Sequence, residues 1–301
     1  MELNSTNVAA SDRTFALAHL TLLGLAPPRM AEVAAEAGFT HIGVRVVPAT
    51  TNEVRYDLRV GTPLLRETRK ALDDNGIRVL DIEALSLRAD TSPDTWLPAL
   101  ESGATLGASV FNVIGADADI SRLTDTFARL AADAATFGIR ASLEPISYRE
   151  LSTLSAAARI VEQTETGGIM LDTTHFQRAG SVPEDIDSVP GDLLTVVQLC
   201  DGPETVPTDI VIPDYSPMGA TPDATPRSIE ARVRRDLPGD GTFPLSAILN
   251  RIPAEVPISV EVPNPVLINE IGEREYARRA YRAAVTVTDR ALLTDSPQGH
   301  A

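Results

Sequence analysis

Four short apolar runs in the second half of the chain each end in an oxygen-bearing side chain. They are Ala141-Ser142-Leu143-Glu144, Ile169-Met170-Leu171-Asp172, Val196-Val197-Gln198 and Ile258-Ser259-Val260-Glu261. Three carboxylates and one amide oxygen form a donor set for a hard cation, Mg²⁺ or Mn²⁺, and disfavour zinc, which is commonly held by nitrogen and sulfur. Against a divalent ion, three carboxylates leave about one negative charge. Four protein ligands leave about two positions of an octahedral shell for substrate oxygens. That geometry suits chelation of a hydroxy-carbonyl unit. The set works only if four distant chain segments meet at one point, and parallel strands joined by helices bring their C-terminal ends to one face of a barrel.

The rest of the chain supplies such a frame. Strands are expected at 15–20, 41–46, 77–85, 109–114, Arg140–Glu144, Gly168–Asp172, Leu194–Leu199 and 258–262. Helical apolar spacing falls between them at Pro27–Ala37, Pro63–Asn75, Pro93–Leu106, 120–137 and near 152–164, and a long helix closes the chain at 273–293. Gly38, Gly76, Gly107 and Gly138 each follow a helical run, where a left-handed residue ends a helix. Eight strands alternating with helices predict an α/β fold, a (β/α)8 TIM barrel. A doubly wound open sheet is the rival, and no Gly-rich phosphate loop follows the first strand to support it.

Composition narrows the function. The 301 residues form one barrel over 13–292, with polar tails at 1–12 and 293–301 expected to be disordered. A net charge of −16 argues against a nucleic-acid partner. A single cysteine, Cys200, forbids an intrachain disulfide and fits a reducing cytoplasm; it follows the strand that carries Gln198 and reads as core, not as a nucleophile. No signal-peptide pattern or membrane-length apolar run occurs, so no membrane association is expected. The expected partner is a small-molecule substrate, and a homo-oligomer remains open. One stretch, 202–241, breaks the rhythm. It is long, rich in proline and leaves the seventh strand at the catalytic face, so it is expected to act as an active-site lid, with a short helix near 228–235.

As a set, several segments match a known pattern: Leu143-Glu144-Pro145; Leu171-Asp172-Thr173-Thr174-His175-Phe176 running on to Arg178 and Gly180; Gln198-Leu199-Cys200-Asp201-Gly202; Pro238-Gly239-Asp240-Gly241; and Val260-Glu261-Val262-Pro263. Over residues 14–290 the chain resembles the sugar phosphate isomerase/epimerase family, the xylose-isomerase-like TIM barrels. The resemblance implies one divalent metal on Glu144, Asp172, Gln198 and Glu261, with Glu144 and Glu261 flanking the substrate as an acid/base pair. Many epimerases of the family carry histidine where Gln198 stands; glutamine is similar to hydroxypyruvate isomerase and 3-dehydroshikimate dehydratase. Endonuclease IV shares the barrel but needs a histidine-rich zinc site, and this chain has only four histidines.

Other residues are placed by position. His175, three residues after Asp172, is expected to shuttle a proton or hold substrate. Arg178 is expected to anchor a carboxylate or phosphate, or to pair with Asp185. Arg235, just before the Pro238-Gly239-Asp240-Gly241 turn, is the expected substrate contact, with Arg232 and Arg234 as rivals. Arg45, Glu83 and His19 end the first three strands and are expected to line the pocket; His41, at the opposite face, is expected to be structural. The expected enzyme is a metal-dependent isomerase or epimerase of a small hydroxy-ketone or sugar, phosphorylated or not, acting by proton abstraction next to a carbonyl through an enediolate. Two alternatives stand beside it: a metal-dependent dehydratase (lyase) of the 3-dehydroshikimate dehydratase type, and a non-catalytic metal-stabilised ligand-binding barrel.

Overall fold

The computed structural model describes residues 13–212, 216–218 and 224–294. The tail expected at 1–12 lies outside the described residues, as do 295–301, while residues 293 and 294 continue the last helix. Eight parallel strands close into a barrel in sequence order: β1 (Phe15–Leu17), β2 (His41–Arg45), β3 (Arg78–Leu87), β4 (Val110–Gly115), β5 (Arg140–Glu144), β6 (Gly168–Asp172), β7 (Leu194–Leu199) and β8 (Ile258–Val260). The main outer helices are α1 (Pro27–Ala37), α2 (Pro63–Asn75), α3 (Pro93–Leu106), α4 (Ile120–Thr136), α5 (Leu154–Val161) and, after β8, α10 (Glu273–Thr294). Shorter helices lie between: α6 (Thr173–Arg178), α7 (Pro226–Val233), α8 (Leu245–Leu249) and α9 (Pro265–Ile271).

Local chemistry explains the helix bounds. Proline stands at the first turn of α1, α2 and α3, where its missing N–H costs nothing. Thr62 caps α2 by accepting from the Leu65 amide at 3.3 Å. At the other end Gly76 takes φ 65°, which a side chain would resist. α4 stops at Thr136 because Phe137 and Gly138, the latter at φ 71°, already hydrogen-bond back in the terminating turn.

Two-residue alternation along the strands builds the site. Leu143, Ile169, Leu171, Val197, Leu199, Ile258 and Val260 face outward into the large core between sheet and helices. The lumen is plugged by Ala16, Leu80, Val110, Met170 and Val196. Asp172 lies two residues above Met170 and Gln198 two above Val196, so each shares the lumen face at the C-terminal rim. Strand pairing sets Asp172 opposite Gln198, and Gln198 opposite Ser259, which puts Glu261 two residues higher.

Three strands differ from the sequence expectation. β1 ends at Leu17, and a 3-10 turn, His19–Leu22, follows, because the His19 amide donates to the Glu83 carboxylate at 2.8 Å instead of continuing the ladder. β3 runs on to Leu87, which leaves Glu83 inside the strand rather than at its end. β8 ends at Val260, since the Val262 amide donates to Thr21 Oγ1 at 2.9 Å. The same hydroxyl donates to the Val260 carbonyl at 2.9 Å, so Thr21 clasps the barrel seam where first and last strands meet.

Candidate active site

The C-terminal rim of β5 to β8 gathers the four oxygen-bearing residues. Glu144 Oε2 accepts from Asn112 Nδ2 at 2.9 Å, and its Oε1 lies 3.9 Å from His175 Nε2. Asp172 caps α6: its Oδ1 accepts from the His175 amide at 3.0 Å. Its Oδ2 accepts from Arg235 Nη1 at 2.6 Å, and the same Nη1 reaches Glu261 Oε2 at 2.9 Å. Glu261 Oε1 accepts from Gln198 Nε2 at 2.9 Å. Among the described residues, ligand atoms of Glu144, Asp172 and His175 lie within 4.8 Å of one another, close enough to hold a metal ion. Glu261 joins this group through the Arg235 bridge, and Gln198 through its hydrogen bond to Glu261.

All of these side chains are buried. Burial, then the nearby Asp172 carboxylate, pushes the Glu144 carboxyl up to about 8, against the pull of Asn112. Burial raises Glu261 well above the usual carboxylate range, and Arg235 only partly offsets it. Asp172 is disfavoured by the same burial, but Arg235 and the His175 contacts outweigh it and hold the carboxyl below its ordinary value. Burial lowers His175 to about 4, so its ring is neutral at pH 7. When Ser147 donates to Nδ1, at 3.2 Å, the ring proton sits on Nε2 facing Glu144.

A divalent cation fits this donor set. Gln198 Oε1 is a buried acceptor with no hydrogen-bond partner, and an orphaned buried oxygen costs about 1–3 kcal/mol unless something binds it. Glu144, Asp172 and Glu261 against Arg235 leave, when ionised, three negative charges minus one positive, that is two, which one divalent cation neutralises. Arg235 thus cancels the charge that the sequence arithmetic left over. Gln198 needs only its amide oxygen for a ligand, since its nitrogen is committed to Glu261.

The remaining expected residues separate into three groups. Arg235 is fully inside the site, and Arg232 and Arg234 are not its equivalents: Arg234 is exposed and pairs with Asp236. Arg45 and Glu83 do line the cavity, about 60 Å³, below the rim, but they are committed to each other at 3.3 Å, with Glu53 on the far side of Arg45 at 3.4 Å. His19 is not available to substrate. Its Nδ1 accepts from the Arg45 amide at 2.7 Å, Nε2 lies 3.0 Å from the Leu25 carbonyl, and Tyr56 stacks on the ring. Arg178 is likewise removed from the site: it pairs with Glu230 at 2.5 Å, donates to the Pro203 and Glu204 carbonyls at 2.7 and 3.1 Å, and covers Phe243. It does not pair with Asp185, whose carboxylate accepts from the Val182 amide. Arg178 therefore ties the described part of the 202–241 stretch to α6. Residues 213–215 and 219–223 of the expected lid lie outside the described residues.

Sequence reasoning missed Asn112, Ser147 and Tyr148. Asn112 had a signal, since it is the only polar side chain in β4. Ser147 and Tyr148 had none; they reach the site only because the loop after β5 folds over His175, with Tyr148 edge-on to that ring at 5.5 Å.

Comparison with known proteins agrees with this architecture. The sequence model of the xylose isomerase-like TIM barrel family matches residues 31–285, and the chain belongs to that family. A search of curated proteins by sequence gives no match. Among solved structures, a xylose isomerase-like TIM barrel/4-hydroxyphenylpyruvate dioxygenase fusion protein superposes with a TM-score of 0.72 at 20% identity, over 94% of this chain and 44% of the other; this chain thus spans less than half of that protein. The IolI protein with a bound zinc atom gives 0.69 at 18% identity, over 92% and 99%. D-allulose 3-epimerase from Methylomonas sp., in complex with D-allulose, gives 0.62 at 16% identity, over 91% and 97%. At these identities the likeness is one of fold. No helix among the described residues is long and apolar enough to cross a membrane.

Proposed function

We propose that this chain is a divalent-metal-dependent isomerase or epimerase of a small hydroxy-ketone or sugar, acting by proton transfer at the carbon beside the carbonyl. The observation that carries it is the buried group of Glu144, Asp172, Glu261 and Gln198, with one amide oxygen lacking a partner and one guanidinium between two of the carboxylates. These four residues would hold Mn²⁺ or Mg²⁺. When bound, the cation supplies Lewis-acid polarisation of the substrate carbonyl.

The protein residues have separable tasks. Glu144 takes the proton from carbon: the charge of a bound cation would counter the burial that raises its carboxyl to about 8 and favour the carboxylate, the form that accepts. Glu261 returns a proton on the other side of the reacting unit. Arg235 fixes Asp172 and Glu261 and balances their charge. His175, neutral and held by Ser147, offers an N–H near Glu144 for a substrate oxygen. Tyr148 covers that ring and limits water access. If a β-hydroxyl leaves after the same proton abstraction, the outcome is a dehydratase.

The test is deuterium incorporation from D₂O at the carbon beside the carbonyl. Glu144→Gln keeps a neutral oxygen ligand while removing the base, and is expected to lower exchange by ~10²–10⁴-fold with metal retained. Full exchange in that variant overturns the role of Glu144. Ultraviolet absorbance from a conjugated enone marks the dehydratase outcome.

A further inference from the structure

The acid/base reading leaves the far end of the substrate undefined. Outward from the site the cavity opens into a vestibule of about 810 Å³, and the two share Ala49, Tyr148, Arg149 and Arg232 in their walls. Four arginines line the vestibule, Arg55, Arg88, Arg149 and Arg232, and no carboxylate among the described residues does. This runs against the composition, in which 42 acidic residues face 26 basic ones. Several exposed arginines elsewhere find a carboxylate, Arg59 with Asp57, Arg122 with Asp117 and Arg279 with Glu275, while others, such as Arg66, donate only to a backbone carbonyl. What sets the vestibule apart is that four arginines share one wall. They have no carboxylate partner among the described residues. Arg55 donates only to the Thr51 carbonyl, and Arg149 and Arg232 each face the Tyr148 ring at 5.8 Å.

The basic wall is also close to the chemistry. Arg149 and Arg232 line the inner cavity together with Glu144, His175 and Glu261. A small extended molecule reacting at Glu144 can place its other end at these guanidinium groups. Guanidinium groups that line one hollow with no carboxylate partner among the described residues are matched by a phosphate or carboxylate, which they bind through paired N–H donors. A neutral polyol gains little from four arginines on one wall, whereas an anion crossing a surface of net charge −16 gains a local field of the right sign.

Resting on the acid/base reading of the inner site, we propose that the vestibule is an anion subsite, and that the substrate is a hydroxy-carbonyl compound carrying a phosphate or carboxylate at the end remote from the reacting carbon. Arg55, Arg88, Arg149 and Arg232 receive that group.

Calorimetric titration of the full-length Mn²⁺-loaded protein with three probes tests this: ribulose (neutral), ribulose 5-phosphate and 5-ketogluconate, a ketone with a remote carboxylate. One of the two anions is expected to bind at least about tenfold tighter than ribulose, with the advantage shrinking as salt rises from about 50 to about 300 mM. In the Arg88→Gln/Arg149→Gln double variant the ratio of anion to ribulose affinity is expected to fall toward one, while Arg279→Gln, an exposed control, leaves it unchanged. Whichever anion wins identifies phosphate or carboxylate as the natural group. A ratio near one in the unaltered protein, a preference that survives the double variant, or failure of both anions to bind overturns the subsite. Deuterium exchange at Glu144 is read separately, so the subsite and the acid/base reading can each fail alone.

Discussion

Two sets of three carboxylates and one arginine are buried on the two sides of this barrel, and they do different things. On the β2–β3 side, Arg45 stands between Glu53 and Glu83 and holds them apart, with Asp81 just below. Burial, then the charge of Glu83, raises Asp81 well above the usual carboxylate range. A Cβ at Gly43 would come within 2.3 Å of Glu83 Oε1, which shows how closely this side is packed. On the β5–β8 side, Arg235 touches Asp172 and Glu261 but leaves Glu144 to a neutral histidine and an asparagine, next to an amide oxygen without a partner. The residue inventory is the same. Each arginine stands between two carboxylates; the difference is that the third on the β5–β8 side, Glu144, joins Asp172 and His175 in a cluster of ligand atoms within 4.8 Å of one another.

Deleting one carboxylate from each set is the sharpest way to break this comparison. Glu261→Ala is expected to lose most of the bound divalent metal, by elemental analysis after dialysis, and, since it too strips a partner from a buried guanidinium, to lower stability as well. Glu83→Ala is expected to keep the metal but to destabilise the chain by about 3–5 kcal/mol in a denaturant titration, because it strips a partner from a buried guanidinium. If both variants lose metal equally, the two sets are one site and the contrast fails. His19 sharpens the same point through pH. Burial lowers its folded pKa to about 4, below the unfolded value of about 6.5. The unfolded chain then binds the extra proton between those values, so stability rises with pH across that window. The contribution is complete above about pH 6.5 and is lost as pH falls through 4, a total of about 3 kcal/mol. His19→Gln is expected to flatten the acid limb by that amount; an unchanged limb would mean that the brace does not titrate. The smallest effect concerns Cys200, whose thiol burial pushes up to about 11. A thiol reagent at pH 8 is expected to leave it unmodified in the native protein and to label it fully in guanidinium chloride. Rapid native labelling would mean that the region beneath Arg235 opens.

What the sequence carried well was local. Apolar runs, the glycine after each helix and the oxygen-bearing residue at each strand end are short-range patterns, and they predicted the barrel order, the bounds of α1, α2 and α3, and the convergence of Glu144, Asp172, Gln198 and Glu261. Decisions made across the sheet were not legible. His19 looks like a rim histidine until the Arg45 amide and the Leu25 carbonyl claim both its nitrogens. Arg178 carries the charge of a substrate anchor, but Glu230, 52 residues on, takes it. Arg235 could not be told from Arg232 and Arg234 without the loop that buries it against Asp172. Asn112 is polar in an apolar strand, and only the fold says that Glu144 is beside it.

The clasp at the seam sets the order in which this molecule comes alive. Thr21 and Arg13 tie the beginning of the barrel to carbonyls 239–241 positions later, contacts of very high sequence separation that form late in folding. Glu261 stands at that seam, one residue past β8. A chain still emerging from the ribosome holds Glu144 and Asp172 long before it holds Glu261, so a partial barrel lacks the last of the proposed ligands, which is also the second group of the proposed acid/base pair. On that proposal the centre is complete only once the ring itself has closed.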